Sequence, residues 1–294
     1  EYTPDKAIEK LADTWPDIVD ALDVKDQAVF EVPLRPAQMC PGCGHRSAFF
    51  AIKKALEKDD VTVADIGCHT LGYMPPYNIG EILMCMGASV GMASGLSLSN
   101  KNRLDKNRSD KSKPNTKRVV AFLGDSTFFH AGLPGIINAV FNKHDVTLIV
   151  MENGTTAMTG HQDHAGEQIS IENVLKGFGI ENILSCDTYA QKKLAGLVRQ
   201  AMAIKGLSVV IARHPCMLKF MRMQRKKQGF VRRNVAIDQD LCNRTHDCVA
   251  QFACPTFVRN PDDSIDINTD LCIGDGSCRP TCPQQAIGLG GGDK

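Results

Sequence analysis

Four short runs of β-branched and apolar residues recur along the middle of the chain, at 61–66, 119–123, 146–151 and 207–212. Each is apolar almost throughout, the pattern of a strand buried on both faces of a parallel sheet. Helical stretches separate them. In Leu133, Ile136, Ile137, Val140 and Phe141 the apolar spacing is i, i+3, i+4, i+7, i+8, which lines one face of a helix. Such alternation predicts a doubly wound α/β domain, taken here as residues 33–218. Residues 1–32 are acidic and mixed, with a helix expected over 4–22 that belongs to no sheet.

Two basic stretches interrupt the pattern. Residues 101–118 (KNRLDKNRSDKSKPNTKR) read as an exposed loop. Residues 219–236 read as a linker to the cysteine-rich tail, 237–290, which is expected to be a small ferredoxin-like domain. Both are read as solvated, with docking of an acidic redox partner as the competing role. Nucleic-acid binding is not expected, because no aromatic residues interleave with the charges.

Size and charge narrow the classes. A chain of 294 residues with 43% apolar content suits one large domain with a small satellite. A net charge of +1 gives no general pull toward nucleic acid or membrane. No apolar run approaches the ~20 residues of a membrane span, and no leader pattern opens the sequence. Twelve cysteines in such a chain read as metal-binding or catalytic thiols in a reducing cytoplasm, not as disulfides.

Ten of the twelve fall into two groups. Cys40-Pro-Gly-Cys43 can place two thiolates on one metal, although a Cys-x-x-Cys alone also suits a redox disulfide or half a zinc site. Cys68 follows the first strand run and Cys216 the last, so both belong at the carboxyl edge of the sheet. The other six are Cys242, Cys248, Cys254, Cys272, Cys278 and Cys282, with Cys254 and Cys282 each preceding proline. Cys85 and Cys186 fit neither group and are read as buried apolar fillers.

The tail departs from the two-cluster ferredoxin pattern C-x2-C-x2-C-x3-C-P, whose fourth cysteine serves the other cluster. Asp275 occupies one second-cysteine position and Thr245 the other. Swapped pairing gives Cys242, Cys248 and Cys282 as one set, and Cys272, Cys278 and Cys254 as the second. Asp275 is expected to complete the second. Threonine is a poor iron ligand, so the first set predicts a [3Fe–4S] cluster or a fourth iron with a non-protein ligand. A zinc site of three cysteines plus His246 competes; the mirrored Cys-Pro steps favour iron–sulfur.

The second strand run ends in Gly124-Asp125-Ser126, and the third is followed by Asn153-Gly154-Thr155. Asp125 and Asn153 would then lie at the carboxyl ends of neighbouring parallel strands, where open α/β sheets bind ligands. A carboxylate, an amide oxygen and a nearby main-chain carbonyl suit Mg²⁺ shared with a phosphate. Taken alone, Gly-Asp and a distant Asn are equally the chemistry of turns.

Longer segments add to this. GDSTFFHAGLPGIINAVFNKHDVTLIVMENGTTAMTGHQ resembles the thiamine-diphosphate-binding segment of the large subunit of indolepyruvate:ferredoxin oxidoreductases, within the 2-oxoacid:ferredoxin oxidoreductases. CPGCGHRSAFFAIKKAL, DIGCHTLG and MCMGASVGMASG resemble other blocks of the same domain, and the tail its ferredoxin-like module. The resemblance implies that Asp125, Asn153 and the Thr155 main-chain oxygen hold Mg²⁺, with Gly124 and Ser126 along the diphosphate. It implies that His45 and Met86-Gly87-Ala88 border the cofactor, and that Thr159, His161 and Gln162 face the reaction centre. His69, His130 and His164 have weaker claims. It further implies Cys40, Cys43, Cys68 and Cys216 as ligands of a proximal [4Fe–4S] cluster.

The implied reaction takes an aryl 2-oxoacid and coenzyme A to acyl-CoA, CO₂ and reduced ferredoxin. In the family the pyrimidine side of the cofactor faces a second domain, which residues 1–32 are too short to be. Another chain or domain is therefore expected to complete the site, together with a beta subunit, and this chain alone is expected to be inactive. Other 2-oxoacids, such as phenylglyoxylate or a branched-chain acid, remain open on these residues. So do a purely electron-transferring or scaffolding subunit and a carboligase without redox chemistry.

Overall fold

The computed structural model describes residues 4–16, 37–107 and 118–290. It divides into two compact units, Glu1–Pro36 and Ala37–Lys294. In the first, helix α1 spans Pro4–Thr14, with a Lys10–Asp13 ion pair along its surface at 3.0 Å. The remainder of the helix expected over 4–22 lies largely outside the described residues.

The second unit is built on a five-stranded parallel sheet: β1 (Val61–Val63), β2 (Val119–Gly124), β3 (Thr147–Glu152), β4 (Ile183–Asp187) and β5 (Ser208–Arg213). Their order is β1-β2-β3-β5-β4. Four strands coincide with the apolar runs. β4, with the sequence ILSCD, was not foreseen: its polar members obscure a strand that only its pairing with β5 reveals.

Each central strand divides its side chains between two cores, as a sheet covered on both faces requires. Val120, Phe122, Ile149, Met151, Val210 and Ala212 face one; Val119, Ala121, Leu123, Leu148, Val150, Val209 and Ile211 face the other. Helices α2 (Gly44–Lys53) and the later α6 (Gln191–Met202) cover the first face, through Phe49, Ile52, Leu194 and Val198. Helices α3 (Ser89–Asn107), α4 (Leu133–Phe141) and α5 (Ile171–Gly177) cover the second, through Val90, Ile136 and Leu175.

Two sequence expectations need correction here. α3 runs to Asn107, so the polar stretch expected as a loop from residue 101 begins as helix. Its polar residues there prolong a helix whose buried face lies earlier, at Val90 and Ala93. α4 forms where its spacing predicted, but Ile137 and Phe141 are exposed, at 49% and 83%. The buried stripe is narrower than the apolar one, running through Ile136 and Ala139.

After β5 the chain enters α7 (Met217–Gln224), so the stretch read as a linker starts as helix. The tail holds two antiparallel strand pairs, β6 (Val235–Ile237) with β9 (Ile287–Leu289) and β7 (Phe257–Arg259) with β8 (Ile265–Ile267). The short helix α8 (Asp247–Ala250) precedes the second pair. Phe252, Phe257, Ile265 and Ile287 join the core under α2 and α6, and Phe50 meets Phe252 edge-on at 5.7 Å. Polar ties reinforce this packing: Tyr77 Oη donates to the Phe252 carbonyl at 2.6 Å, and Gln191 Nε2 to that of Ser277 at 2.9 Å. Among the described residues no helix is long and apolar enough to cross a membrane.

Candidate active site

β2 and β3 run side by side with Gly124 opposite Met151, so Asp125 and Asn153 emerge at the same carboxyl edge. Asp125 is buried at the start of a helical turn, Asp125–Thr127. Its Oδ2 accepts from the main-chain N–H groups of Asn153 (2.9 Å) and Gly154 (2.7 Å), and its Oδ1 from Ser126 (2.8 Å). The Asn153 amide Oδ1 accepts from Thr155 N–H at 3.0 Å, and its Nδ2 lies 3.3 Å from His45 Nε2. These bonds fix a carboxylate and an amide oxygen side by side, the donor set that Mg²⁺ takes.

A cavity of about 130 Å³ opens beside them. Its lining includes His45, Met86, Gly124, Asp125, Ser126, Asn153, Thr155 and Thr159, most of the residues expected to border the diphosphate cofactor. The helical turn Asp125–Thr127 leads into a π-helical turn, Phe128–Gly132, a local irregularity frequent at functional sites.

Three further residues, two of them given little weight in the sequence, shape this cavity. Asp65 is fully buried; its Oδ1 accepts from Ile66 and Gly87 N–H at 2.8 Å each, and its Oδ2 from Ser89 N–H at 3.1 Å. It thereby ties Met86-Gly87-Ala88 to the end of β1. His69 is buried, meets His45 edge-on at 6.1 Å, and lines the wall near Gly124. His164 Nε2 lies 3.3 Å from Asp125 Oδ2 without the alignment of a hydrogen bond. Burial drives the pKa of both His45 and His69 down to about 4, with His69 adding a smaller push on His45, so both rings are neutral near pH 7. The only sequence signal for Asp65 was a lone acid closing an apolar run. His130 is exposed.

A second cavity, of about 230 Å³, is lined by Cys40, Cys43, Cys68 and Cys216 together with His161 and His214. Cys40 and Cys43 flank the start of α2, Cys68 opens the turn after β1, and Cys216 precedes α7. The parallel sheet brings these distant positions to one edge. Cys216 Sγ lies 4.0 Å from His161 Nδ1. Burial raises the thiol of Cys43 to about 12 and those of Cys40 and Cys68 above the ordinary range. Metal uptake there must displace protons.

The tail gathers its cysteines in the swapped sets. Cys242, Cys248 and Cys282 line one small cavity with Thr245 and His246. Cys278 is raised first by burial, then by Asp275, Cys254 and Cys272 around it. Among the described residues no three His, Cys, Asp or Glu side chains converge tightly enough to hold a single ion. Zinc needs every sulfur within about 2.3 Å of one point, whereas a cubane cluster takes one thiolate at each of its separate corners. His246 is also engaged elsewhere, with Nε2 2.9 Å from the Asp263 carbonyl oxygen.

Some expected residues stand apart. Gln162 is exposed and folds back on Thr159, accepting from its hydroxyl and donating to its carbonyl at 2.7 Å each. It lines neither cavity. His161 lines the thiol cavity and not the cofactor cavity. Cys85 is exposed, contrary to the buried filler expected; it lies in the irregular chain before α3, where none of the described residues buries it. Cys186 is half-buried on β4.

Comparison with known proteins agrees with this geometry. The chain belongs to the thiamine pyrophosphate enzymes, whose C-terminal TPP binding domain matches residues 65–212, half of its length. A 4Fe-4S binding domain matches residues 265–288. The two matched domains give the chain its cofactors, thiamine diphosphate and iron–sulfur clusters. Among individual proteins it is similar to indolepyruvate oxidoreductase subunit IorA of Archaeoglobus fulgidus, 37% identical over 87% of this chain and 40% of that protein. The IorA subunit of Methanothermobacter thermautotrophicus is 35% identical over 98% of this chain and 45% of its own length. The chain thus spans less than half the length of these relatives. In fold it is similar to a 2-oxoglutarate:ferredoxin oxidoreductase from Magnetococcus marinus, with a TM-score of 0.51 over 66% of this chain and 71% of that one, at 19% identity. That likeness concerns the fold alone.

Proposed function

We propose that the chain is the thiamine-diphosphate and iron–sulfur portion of a 2-oxoacid:ferredoxin oxidoreductase acting on aryl 2-oxoacids of the indolepyruvate type. The overall reaction is 2-oxoacid + CoA + two oxidised ferredoxins → acyl-CoA + CO₂ + two reduced ferredoxins + H⁺. The carrying observation is the wall shared by the two cavities: His45, Cys68, Asn153, Ala157 and Met158 line both. A carbon oxidised in the first cavity then has an electron acceptor within one side chain's thickness.

Thiamine diphosphate, when bound, supplies the carbanion chemistry that decarboxylation of a 2-oxoacid requires. The chain's own residues do the rest. Asp125, Asn153 and the Thr155 main chain hold Mg²⁺, and Gly124 and Ser126 leave room for diphosphate. Neutral His45 holds the Asn153 amide in place and adds no positive charge beside the metal. Cys40, Cys43, Cys68 and Cys216 would hold the proximal [4Fe–4S] cluster, and the two tail sets would hold further clusters, which supply one-electron chemistry when bound. Asp275 serves as the fourth ligand of the Cys254, Cys272 and Cys278 set.

The similarity to IorA subunits favours an indolepyruvate-type substrate, and their greater length fits a site completed by a further domain or partner subunit. The test is anaerobic purification of the whole protein with its partners, followed by dye reduction across a panel of 2-oxoacids with CoA. The fastest turnover is expected with indolepyruvate. Dye reduction by no 2-oxoacid in a preparation that contains iron and thiamine diphosphate would contradict the proposal.

A further inference from the structure

Arg46 stands out among the buried charges. It lies on the first turn of α2, three residues after Cys43, and is 2% exposed. Its guanidinium reaches in two directions. Nη2 donates to the Met39 carbonyl, immediately before Cys40. Nη1 donates to the carbonyls of Phe252, at 3.2 Å, and Ala253, immediately before Cys254. Ala253 is held at φ 49°, a left-handed conformation uncommon for alanine. Arg46 therefore bridges the peptide that leads into one thiol set and the peptide that leads into another.

Among the described residues no carboxylate lies within ion-pair distance of Arg46, and its Nε has no hydrogen-bond partner. A guanidinium does not deprotonate in a protein. Carbonyl oxygens solvate it but do not neutralise it, and an unbalanced buried cation is costly. The anionic groups at the two ends of the bridge are the thiol sets, the second of them with the Asp275 carboxylate. Cys40 and Cys254 each follow directly on a carbonyl that Arg46 holds.

We infer that Arg46 is a fixed positive charge placed between the proximal cluster and the tail cluster of the Cys254 set, where it sets the reduction potentials of both and eases electron passage between them. The inference rests on the proposed cluster ligation. A cubane held by four anionic side chains, four thiolates in the proximal site or three thiolates and the Asp275 carboxylate in the Cys254 set, is anionic and gains one further negative charge on reduction. A cation held between two such centres stabilises the reduced form of each and lowers the repulsion when charge moves from one to the other. Arg46 acts through the clusters as a positioning and tuning residue.

The competing role is a neutral clamp, in which Arg46 merely ties three carbonyls together. Two substitutions separate the roles in the whole, anaerobically purified protein. Arg46→Lys keeps the charge and loses the planar fork; Arg46→Gln keeps a donor and loses the charge. The readouts are iron content and EPR-monitored redox titration.

The expected result is that both potentials stay within threefold of wild type in the Lys variant, as the oxidised-to-reduced ratio at fixed applied potential. In the Gln variant both become more negative by at least tenfold in that ratio, which is 59 mV for a one-electron couple. A Gln variant that loses iron while the Lys variant keeps it also supports the charge. Unmoved potentials in an iron-replete Gln variant overturn the inference, as does equal damage in the two variants. Absence of iron from the wild type would instead remove the cluster reading itself.

Discussion

Asp65 carries a carboxylate yet is fully buried, and three main-chain N–H groups converge on it from Ile66, Gly87 and Ser89. Each buried donor left without an acceptor costs about 1–3 kcal/mol. Asp65→Ala is therefore expected to lower stability by roughly 3 kcal/mol or more and to loosen Met86-Gly87-Ala88 against the cofactor. Urea denaturation checks the first effect and calorimetry with thiamine diphosphate and Mg²⁺ the second; a loss below about 1 kcal/mol would deny Asp65 this role. Asp125→Asn keeps the side-chain volume and removes the charge. Its cofactor affinity should fall at least tenfold, about 1.4 kcal/mol, in a protein that still folds; unchanged affinity would free Asp125 from metal binding. At this scale the sequence spoke unevenly. Asp125 and Asn153 were legible because the segments that carry them resemble a known cofactor-binding block; their place at strand ends alone suits a turn equally well. Asp65, His69 and Arg46 were not, because burial by segments distant in sequence is what gives them a role.

Strands and helices were the most readable level, since β-branched runs and helical spacing are local properties. β4 escaped because Ser185 and Cys186 break its run and its identity as a strand depends on β5. The exposed Phe141 shows the converse, a local pattern that the tertiary structure does not use for burial. Two glycines test how tightly elements are set. Gly87 has φ +86°, and a Cβ there would come within 2.4 Å of Ala131 Cβ and 2.7 Å of its carbonyl oxygen. Gly87→Ala should destabilise the fold by more than about 1 kcal/mol, because it adds strain to a clash with main chain. Gly91, in α3, would meet nothing within 4 Å. Gly91→Ala should instead stabilise by about 0.5–1 kcal/mol. Thermal melts of the two variants that shifted in the same direction would contradict this account.

The whole molecule was the least legible. Sheet order and the sharing of one core by the tail and the sheet are non-local, whereas the edge that gathers Cys40, Cys43, Cys68 and Cys216 was expected from strand ends and from the family resemblance. Cys43, Cys254, Cys272 and Cys278 lie within or against the core that also holds Phe49, Phe122 and Leu194. Iron bound there should therefore stabilise sheet and tail together. Stripping iron anaerobically is expected to lower a single unfolding transition in the whole protein; a tail transition that moved while that of the α/β core stayed fixed would show the two to be uncoupled.

The proposed redox function rests on the adjacency of the two cavities, and rapid freezing tests it most directly. The anaerobic, cofactor-loaded whole protein is mixed with indolepyruvate and frozen within milliseconds for EPR. A reduced-cluster signal is expected before CoA is added, as is its loss in a Cys68→Ala variant that still binds thiamine diphosphate. A signal of undiminished rate and size in that variant would contradict the proposal.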